Sequence, residues 1–191
     1  MLRLLAAPLL ALAACAALAQ TFAQAPPGPY VGQPGKDVVW VPTPYILVEK
    51  MLDMARVTPK DYVMDLGSGD GRNVIAAAKR GARALGVEYD KELLAIARKN
   101  AADQGVSDKA RFVHGDMFEA DISQATVLAL FLLPDNLRKL RPKFEKLRPG
   151  TRIVTNGFEI DGWKPKSIGR VDGDCGGWCT AYLYVVPAKT N

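Results

Sequence analysis

An α/β fold, a mostly parallel sheet with helices on both faces, is what this sequence predicts, and three observations carry the expectation. Helix-like and strand-like stretches alternate regularly from residue 38 onward, as they do where crossover helices join parallel strands. The apolar stretch Tyr62-Val63-Met64 runs into Asp65-Leu66-Gly67-Ser68-Gly69-Asp70-Gly71-Arg72 and out into Asn73-Val74-Ile75-Ala76, so the glycines fall where a strand turns into a helix. Two strand-like segments near 167–171 and 181–186 predict an antiparallel hairpin at the sheet edge.

The elements follow in order. Pro44 at a first-turn position, then Ile46, Leu47, Met51, Leu52, Met54 and Ala55 at helical intervals, predict a leading helix as far as Val57. A first strand spans 61–66, and the glycine turn opens a helix to about residue 80. Residues 82–88 form a second strand, and 91–104 a helix closed by Gly105. Arg111-Phe112-Val113-His114 is a third strand, and the apolar run 125–133 suits a fully buried fourth. A helix from Pro134 to about Leu147, the turn Arg148-Pro149-Gly150 and a fifth strand over 152–156 complete the core.

With 191 residues, 49% of them apolar, the chain has room for one domain of ordinary size and not for a second large one. The net charge of +5 is mild. Its one basic cluster, Arg138, Lys139, Arg141, Lys143, Lys146 and Arg148, alternates with Leu137, Leu140, Phe144 and Leu147 and reads as a solvated helix face. Residues 4–19, uncharged and rich in Leu and Ala after Arg3, look like a secretory signal; a membrane span needs about 20 residues. Ala17-Leu18-Ala19 and Ala23-Gln24-Ala25 offer cleavage sites, and Leu12-Ala13-Ala14-Cys15 resembles a lipobox. We therefore divide the chain into a signal or targeting segment (1–25), a flexible Pro/Gly-rich lead-in (26–37) and one domain (38–191), and expect export to the periplasm or envelope. Cys175 and Cys179 flank Gly176-Gly177-Trp178; they are either a small disulfide loop or free thiols, and with one distant histidine they make a poor zinc site.

The glycine turn has the chemistry of a nucleotide-like cofactor site. Gly67, Gly69 and Gly71, with Ser68 among them, let the backbone approach a ligand, and the helix that follows offers unpaired N–H groups. Glu88 ends the second strand, where a carboxylate accepts hydrogen bonds from both ribose hydroxyls. Asp65 separates two cofactors. Dinucleotide-binding strands usually enter the turn on an apolar residue and meet a pyrophosphate, whereas S-adenosyl-L-methionine brings an ammonium that a carboxylate suits. The G-x-G-x-G spacing points the same way. Asp116, at the tip of the third strand, is placed to accept the adenine amino group, with Met117 supplying a backbone donor and Phe118 an apolar wall; the competing reading is a turn aspartate. The single histidine, His114, reads as structural.

After the fourth strand the chain reads Leu130-Phe131-Leu132-Leu133-Pro134. The Asn- or Asp-Pro-Pro-aromatic motif of enzymes that methylate adenine, cytosine or glutamine amides is missing. Neither a stacking platform nor a dense basic patch replaces it, so no nucleic-acid partner is expected. Asp116 with Asp135 and Asn136 is a thin ligand set for a hard cation, and no metal is expected.

Trp40-Val41-Pro42-Thr43-Pro44, the glycine turn, Gly86-Val87-Glu88, Ala125-Thr126-Val127 with Phe131-Leu132-Leu133, Leu147-Arg148-Pro149-Gly150-Thr151-Arg152 and Gly162-Trp163-Lys164-Pro165 together resemble the small seven-β-strand protein lysine methyltransferases, over roughly 38–187. The resemblance implies a Rossmann-like class I methyltransferase fold, S-adenosyl-L-methionine as cofactor and a protein substrate with an accessible lysine, membrane-associated for the mitochondrial members. It implies that Val41-Pro42-Thr43-Pro44 loops over cofactor and lysine, with Thr43 near the methionine moiety and Phe131 at the cofactor. Trp40 and Thr43 would position the lysine. Members often carry Tyr where this chain has Trp40, which leaves an apolar or cation–π wall without the hydroxyl. A general base does not stand out; water, Thr43 and backbone carbonyls are the candidates. A small-molecule N- or O-methyltransferase and an exported, non-catalytic binding protein of the same fold are the alternatives. The cofactor is cytosolic, which keeps a cytoplasmic location open beside export. The oligomeric state is not legible.

Overall fold

The computed structural model describes residues 40–188; the expected signal segment, the lead-in and the start of the domain at 38 lie outside the described residues. Seven strands form one sheet: β1 (Tyr62–Leu66), β2 (Arg83–Glu88), β3 (Ala110–His114), β4 (Val127–Leu130), β5 (Arg152–Asn156), β6 (Ser167–Arg170) and β7 (Thr180–Val185), in the order β3-β2-β1-β4-β5-β7-β6. The first five run parallel, and β7 is antiparallel to both of its neighbours. Alternate strand residues point to opposite faces. Val63 packs with the face covered by α1 (Tyr45–Met54), α2 (Arg72–Lys79) and α3 (Lys91–Asp103). Met64 packs with the other face, covered by Leu137, Leu140 and Phe144 of α4 (Pro134–Phe144). The expected α/β class, the mostly parallel sheet and the terminal antiparallel strands are all present.

Three elements are shorter than the sequence predicts by three residues or more. The leading helix stops at Met54 because the chain turns through Arg56 at φ +49°. The fourth strand is four residues instead of the whole run 125–133. At its start, Ala125 N–H donates to Ile122 O in a turn. At its end Pro134 opens α4, which takes Phe131, Leu132 and Leu133 off the sheet edge. Helix α4 ends at Phe144, two residues after the internal Pro142, and the i−3 bonds Lys146 N→Lys143 O and Leu147 N→Phe144 O finish the segment as turns. Much of its basic face is paired: Arg138 with Asp135 at 2.6 Å and Arg141 with Glu145 at 2.8 Å.

Asp61 ties the N-terminal edge of the sheet together. Its carboxylate accepts from Thr58 N (2.8 Å), Thr58 Oγ1 (3.0 Å) and Thr126 Oγ1 (2.8 Å), and pairs with Arg152. Burial pushes its pKa up, but the hydrogen bonds from Thr126, Thr58 and Arg152 outweigh burial and hold it below the ordinary carboxylate value. A lowered folded-state pKa stabilises the fold above the unfolded value, and that contribution is lost as the pH falls through the folded one. Asp61→Asn is therefore expected to lower stability at pH 7 by about 2 kcal/mol. Urea unfolding at pH 7 and pH 3 should show the wild type and variant converging at the lower pH.

Candidate active site

The parallel register aligns the strand tips on which the site is built, with Leu66 opposite Val87 and Glu88 opposite His114. From β1 the chain crosses the C-terminal edge of the sheet and enters α2 at Arg72, with Gly67, Gly69 and Gly71 at φ +76°, +55° and +86°. At two of these only glycine fits. A Cβ on Gly69 would lie 2.6 Å from Trp40 Nε1, and one on Gly71 would lie 2.7 Å from Phe112 Cζ. The turn is fastened to the tip of β2: Gly67 N and Ser68 N donate to Val87 O (2.8 and 3.1 Å), and Gly69 N to Glu88 Oε2 (2.7 Å). Glu88 Oε1 accepts Asp90 N at 2.8 Å. A carboxylate offers about four acceptor positions, so Glu88 keeps capacity for two ligand hydroxyls.

Behind the turn lie two pairs of buried polar side chains. Asn73 Nδ2 donates to Asp65 Oδ2 at 3.1 Å, and Asn156 Nδ2 to Thr43 Oγ1 at 3.4 Å. Asp65 Oδ1, Ser68 Oγ, Asn73 Oδ1 and Asn156 Oδ1 are buried without a hydrogen-bond partner among the described residues. Each such atom costs about 1–3 kcal/mol, and native proteins hold few of them. Burial drives the Asp65 pKa well above the ordinary carboxylate value; the Asn73 hydrogen bond opposes this, and the Glu88 and Asp70 carboxylates add to it. Unpaired acceptor atoms on the buried Asp65 and on its partner Asn73 fit a ligand that brings an ammonium group, so the residues present fit the methionine end of S-adenosylmethionine.

The segment before α1 closes over this turn. Thr43 is buried, and its carbonyl accepts Arg72 Nη1 at 2.5 Å. Arg72 holds Asp70 through Nε (2.9 Å) and Nη2 (2.5 Å), and its guanidinium lies 4.7 Å above the Tyr45 ring. Trp40, Thr43, Asp65, Ser68, the three glycines and Glu88 thus meet in one place. Asp116 stands exposed at the tip of β3, where Oδ1 accepts Phe118 N at 2.8 Å. The competing turn role is therefore present. Met117 packs against the α4 side of the core. Phe131 packs with Phe158 and Trp178, and its neighbour Leu132 reaches the turn, with Cδ2 3.5 Å from where a Cβ on Gly67 would stand.

Sequence reasoning passed over Asn73, Asn156, Arg72 and Tyr89. Asn73 had a signal, a polar residue opening a helix whose next five residues are buried. Asn156 had none, since its partner Thr43 is 113 residues away. Tyr89 follows Glu88, is largely exposed and stacks on His114 with centroids 5.7 Å apart, next to the strand that carries Asp116.

A family model of the ANTKMT methyltransferase domain matches residues 65–167, from the buried carboxylate through β5. The chain belongs to the ANTKMT methyltransferase domain family. This ANTKMT-type chain is 47% identical over 153 residues to the protein-lysine N-methyltransferase of Saccharolobus islandicus, across 78% of this chain and 94% of that enzyme. It is 32% identical over 142 residues to the adenine nucleotide translocase lysine N-methyltransferase of Mus musculus, across 73% of this chain and 57% of that relative. Among solved structures it resembles a chain described as an RNA methyltransferase from Salinibacter ruber in complex with S-adenosyl-L-homocysteine. That match has TM-score 0.73 and 46% identity, over 79% of this chain and 97% of that one.

Proposed function

We propose that this ANTKMT-family domain transfers the methyl group of S-adenosylmethionine to the ε-amino group of lysine in a protein. The observation that carries the reading is the 47% identity with the archaeal protein-lysine enzyme across 94% of its length. The buried polar side chains support it. Asp65 takes the ammonium of the cofactor, Glu88 the ribose hydroxyls, and Ser68 and Asn73 lie where unpaired acceptors meet the methionine moiety. Asp116 takes the adenine amino group and Tyr89 an adenine face. S-adenosylmethionine supplies an electrophilic methyl group on a sulfonium.

The protein's own task is to hold a neutral amine about 3 Å from that carbon, in line with the leaving group. Lysine is charged near neutrality, with a pKa of about 10.4 in water. Burial favours the free amine, and Asn156 Oδ1 is a fixed acceptor for one of its N–H groups. The closure of 40–44 over the turn, with Trp40 against Gly69, excludes water. The clamp by Arg72 maintains that closure. Arg72→Met is expected to raise the dissociation constant for S-adenosylmethionine about tenfold, the equivalent of roughly 1.4 kcal/mol, as read by isothermal titration.

The Salinibacter relative's description makes RNA a second reading. Incubating the full chain with methyl-labelled cofactor, a lysine-rich protein and total RNA in one tube separates them. Label recovered on lysine after protein hydrolysis supports the proposal. Label in RNA, or in small molecules alone, overturns it. We further infer export through residues 1–25, and the Cys175–Cys179 disulfide fits an oxidising compartment. A reporter active only outside the cytoplasm, fused after residue 30, is expected to be active; an inactive fusion contradicts export.

A further inference from the structure

Three loops bring aromatic rings together at the C-terminal edge of the sheet: Phe131 after β4, Phe158 after β5, and Trp178 inside the loop closed by the Cys175–Cys179 disulfide. Trp178 lies 5.0 Å from Phe131 and 5.4 Å from Phe158, with interplanar angles of 62° and 57°. The seat is built for the indole. Gly157, at φ +72°, leaves the space, since a Cβ there would lie 2.8 Å from Trp178 Cε3. Gly157 also follows Asn156, the residue that reaches Thr43. The seat of the indole is thus one residue along the chain from the buried Asn156–Thr43 pair.

The loop that carries Trp178 is held at both ends. Trp178 N donates to Cys175 O at 2.8 Å, Val171 N to Cys179 O at 3.0 Å and Gly157 N to Thr180 O at 2.8 Å. The two cysteine Cα atoms are 5.2 Å apart, and Cys175 is buried while Gly173, Gly176 and Gly177 are exposed. Three glycines in so short a loop leave its backbone little intrinsic preference, so the crosslink is what presents the indole at a fixed height.

Ring spacing decides what this cluster can bind. A cation must sit within about 6 Å of each ring face it uses, and rings already in edge contact at 5.0 and 5.4 Å leave no gap between them. The trio is therefore a wall and not an ammonium cage. Such a wall suits the aliphatic stem of a lysine and the apolar residues beside it, while the amine continues to Asn156 and Thr43.

We propose that Trp178, tethered by the Cys175–Cys179 disulfide, is a specificity-determining residue that selects lysines in apolar surroundings. The inference rests on the lysine reading above. Its test uses the full chain and two synthetic peptides with a single lysine, flanked by leucines in one and by serines in the other. Trp178→Ala is expected to raise KM for the leucine peptide about tenfold. In that variant kcat should stay within about twofold and the cofactor dissociation constant should be unchanged, because the indole packs on Phe131, Phe158 and Gly157 while Asp65 and Glu88 keep their own partners. Trp178→Phe should recover most of the loss, and Cys175→Ser with Cys179→Ser should reproduce part of it. An unchanged KM in Trp178→Ala, or a cofactor affinity that falls along with it, overturns the inference alone. A wild-type protein that methylates neither peptide overturns the lysine reading as well.

Discussion

Asp65→Asn is expected to make the free protein more stable and its complex with S-adenosylmethionine weaker, two effects of opposite sign from one side chain. In the free protein burial raises the Asp65 pKa well above its ordinary value. A folded-state pKa above the unfolded one means that the stabilisation is complete below the unfolded value and is lost as the pH rises through the folded one. At neutral pH the wild type therefore carries a penalty that an amide avoids. In the complex the balance reverses, since hydrogen bonds to a charged group contribute about 1.5–3 kcal/mol. The variant should bind the cofactor roughly 10- to 150-fold more weakly. Thermal unfolding from pH 5 to 8, with and without cofactor, reads both effects. A variant less stable than wild type without cofactor, or equally stabilised by it, contradicts this account of Asp65.

Gly71→Val is expected to damage the fold itself. The residue caps α2 at φ +86°, and a Cβ would lie 2.7 Å from Phe112 Cζ and 3.1 Å from Ala97 Cβ. The left-handed conformation costs an L-residue roughly 1–2 kcal/mol, and overpacking about 1–3 kcal/mol. A loss near 3 kcal/mol in a domain of this size lowers Tm by roughly 6–12 °C. Gly71→Ala carries the same backbone penalty and a smaller clash, so it should fall between wild type and valine. Equal melting temperatures for the three proteins would show that the glycine is dispensable.

What the sequence made legible was what lies close together along the chain. Asp65 through Arg72 announced a strand, a turn and a helix within eight residues, and Glu88 marked the next strand tip. Long-range pairings were hidden. Thr43 meets Arg72 and Asn156, 29 and 113 residues away, and no local pattern connects them. The apolar run 125–133 looked like one strand because hydrophobicity does not show where a sheet ends; Pro134 and the turn at Ile122 fix the ends instead. Phe131, expected at the cofactor, also packs with rings from two other loops, contacts that no local pattern shows. Cys175 and Cys179 left pairing open, because spacing alone cannot bring two side chains together.

The most direct test of the central claim, that the buried side chains behind the glycine turn receive the ammonium of S-adenosylmethionine through Asp65, is calorimetric titration from about pH 4 to 8 in pairs of buffers of different protonation enthalpy. An ammonium beside Asp65 lowers the carboxyl pKa that burial raises, so binding should release protons over the part of that range where the free side chain titrates. There the apparent enthalpy should differ between the buffers, and Asp65→Asn should abolish the difference. Absence of binding at millimolar cofactor, or enthalpies that agree in both buffers at every pH, would contradict it.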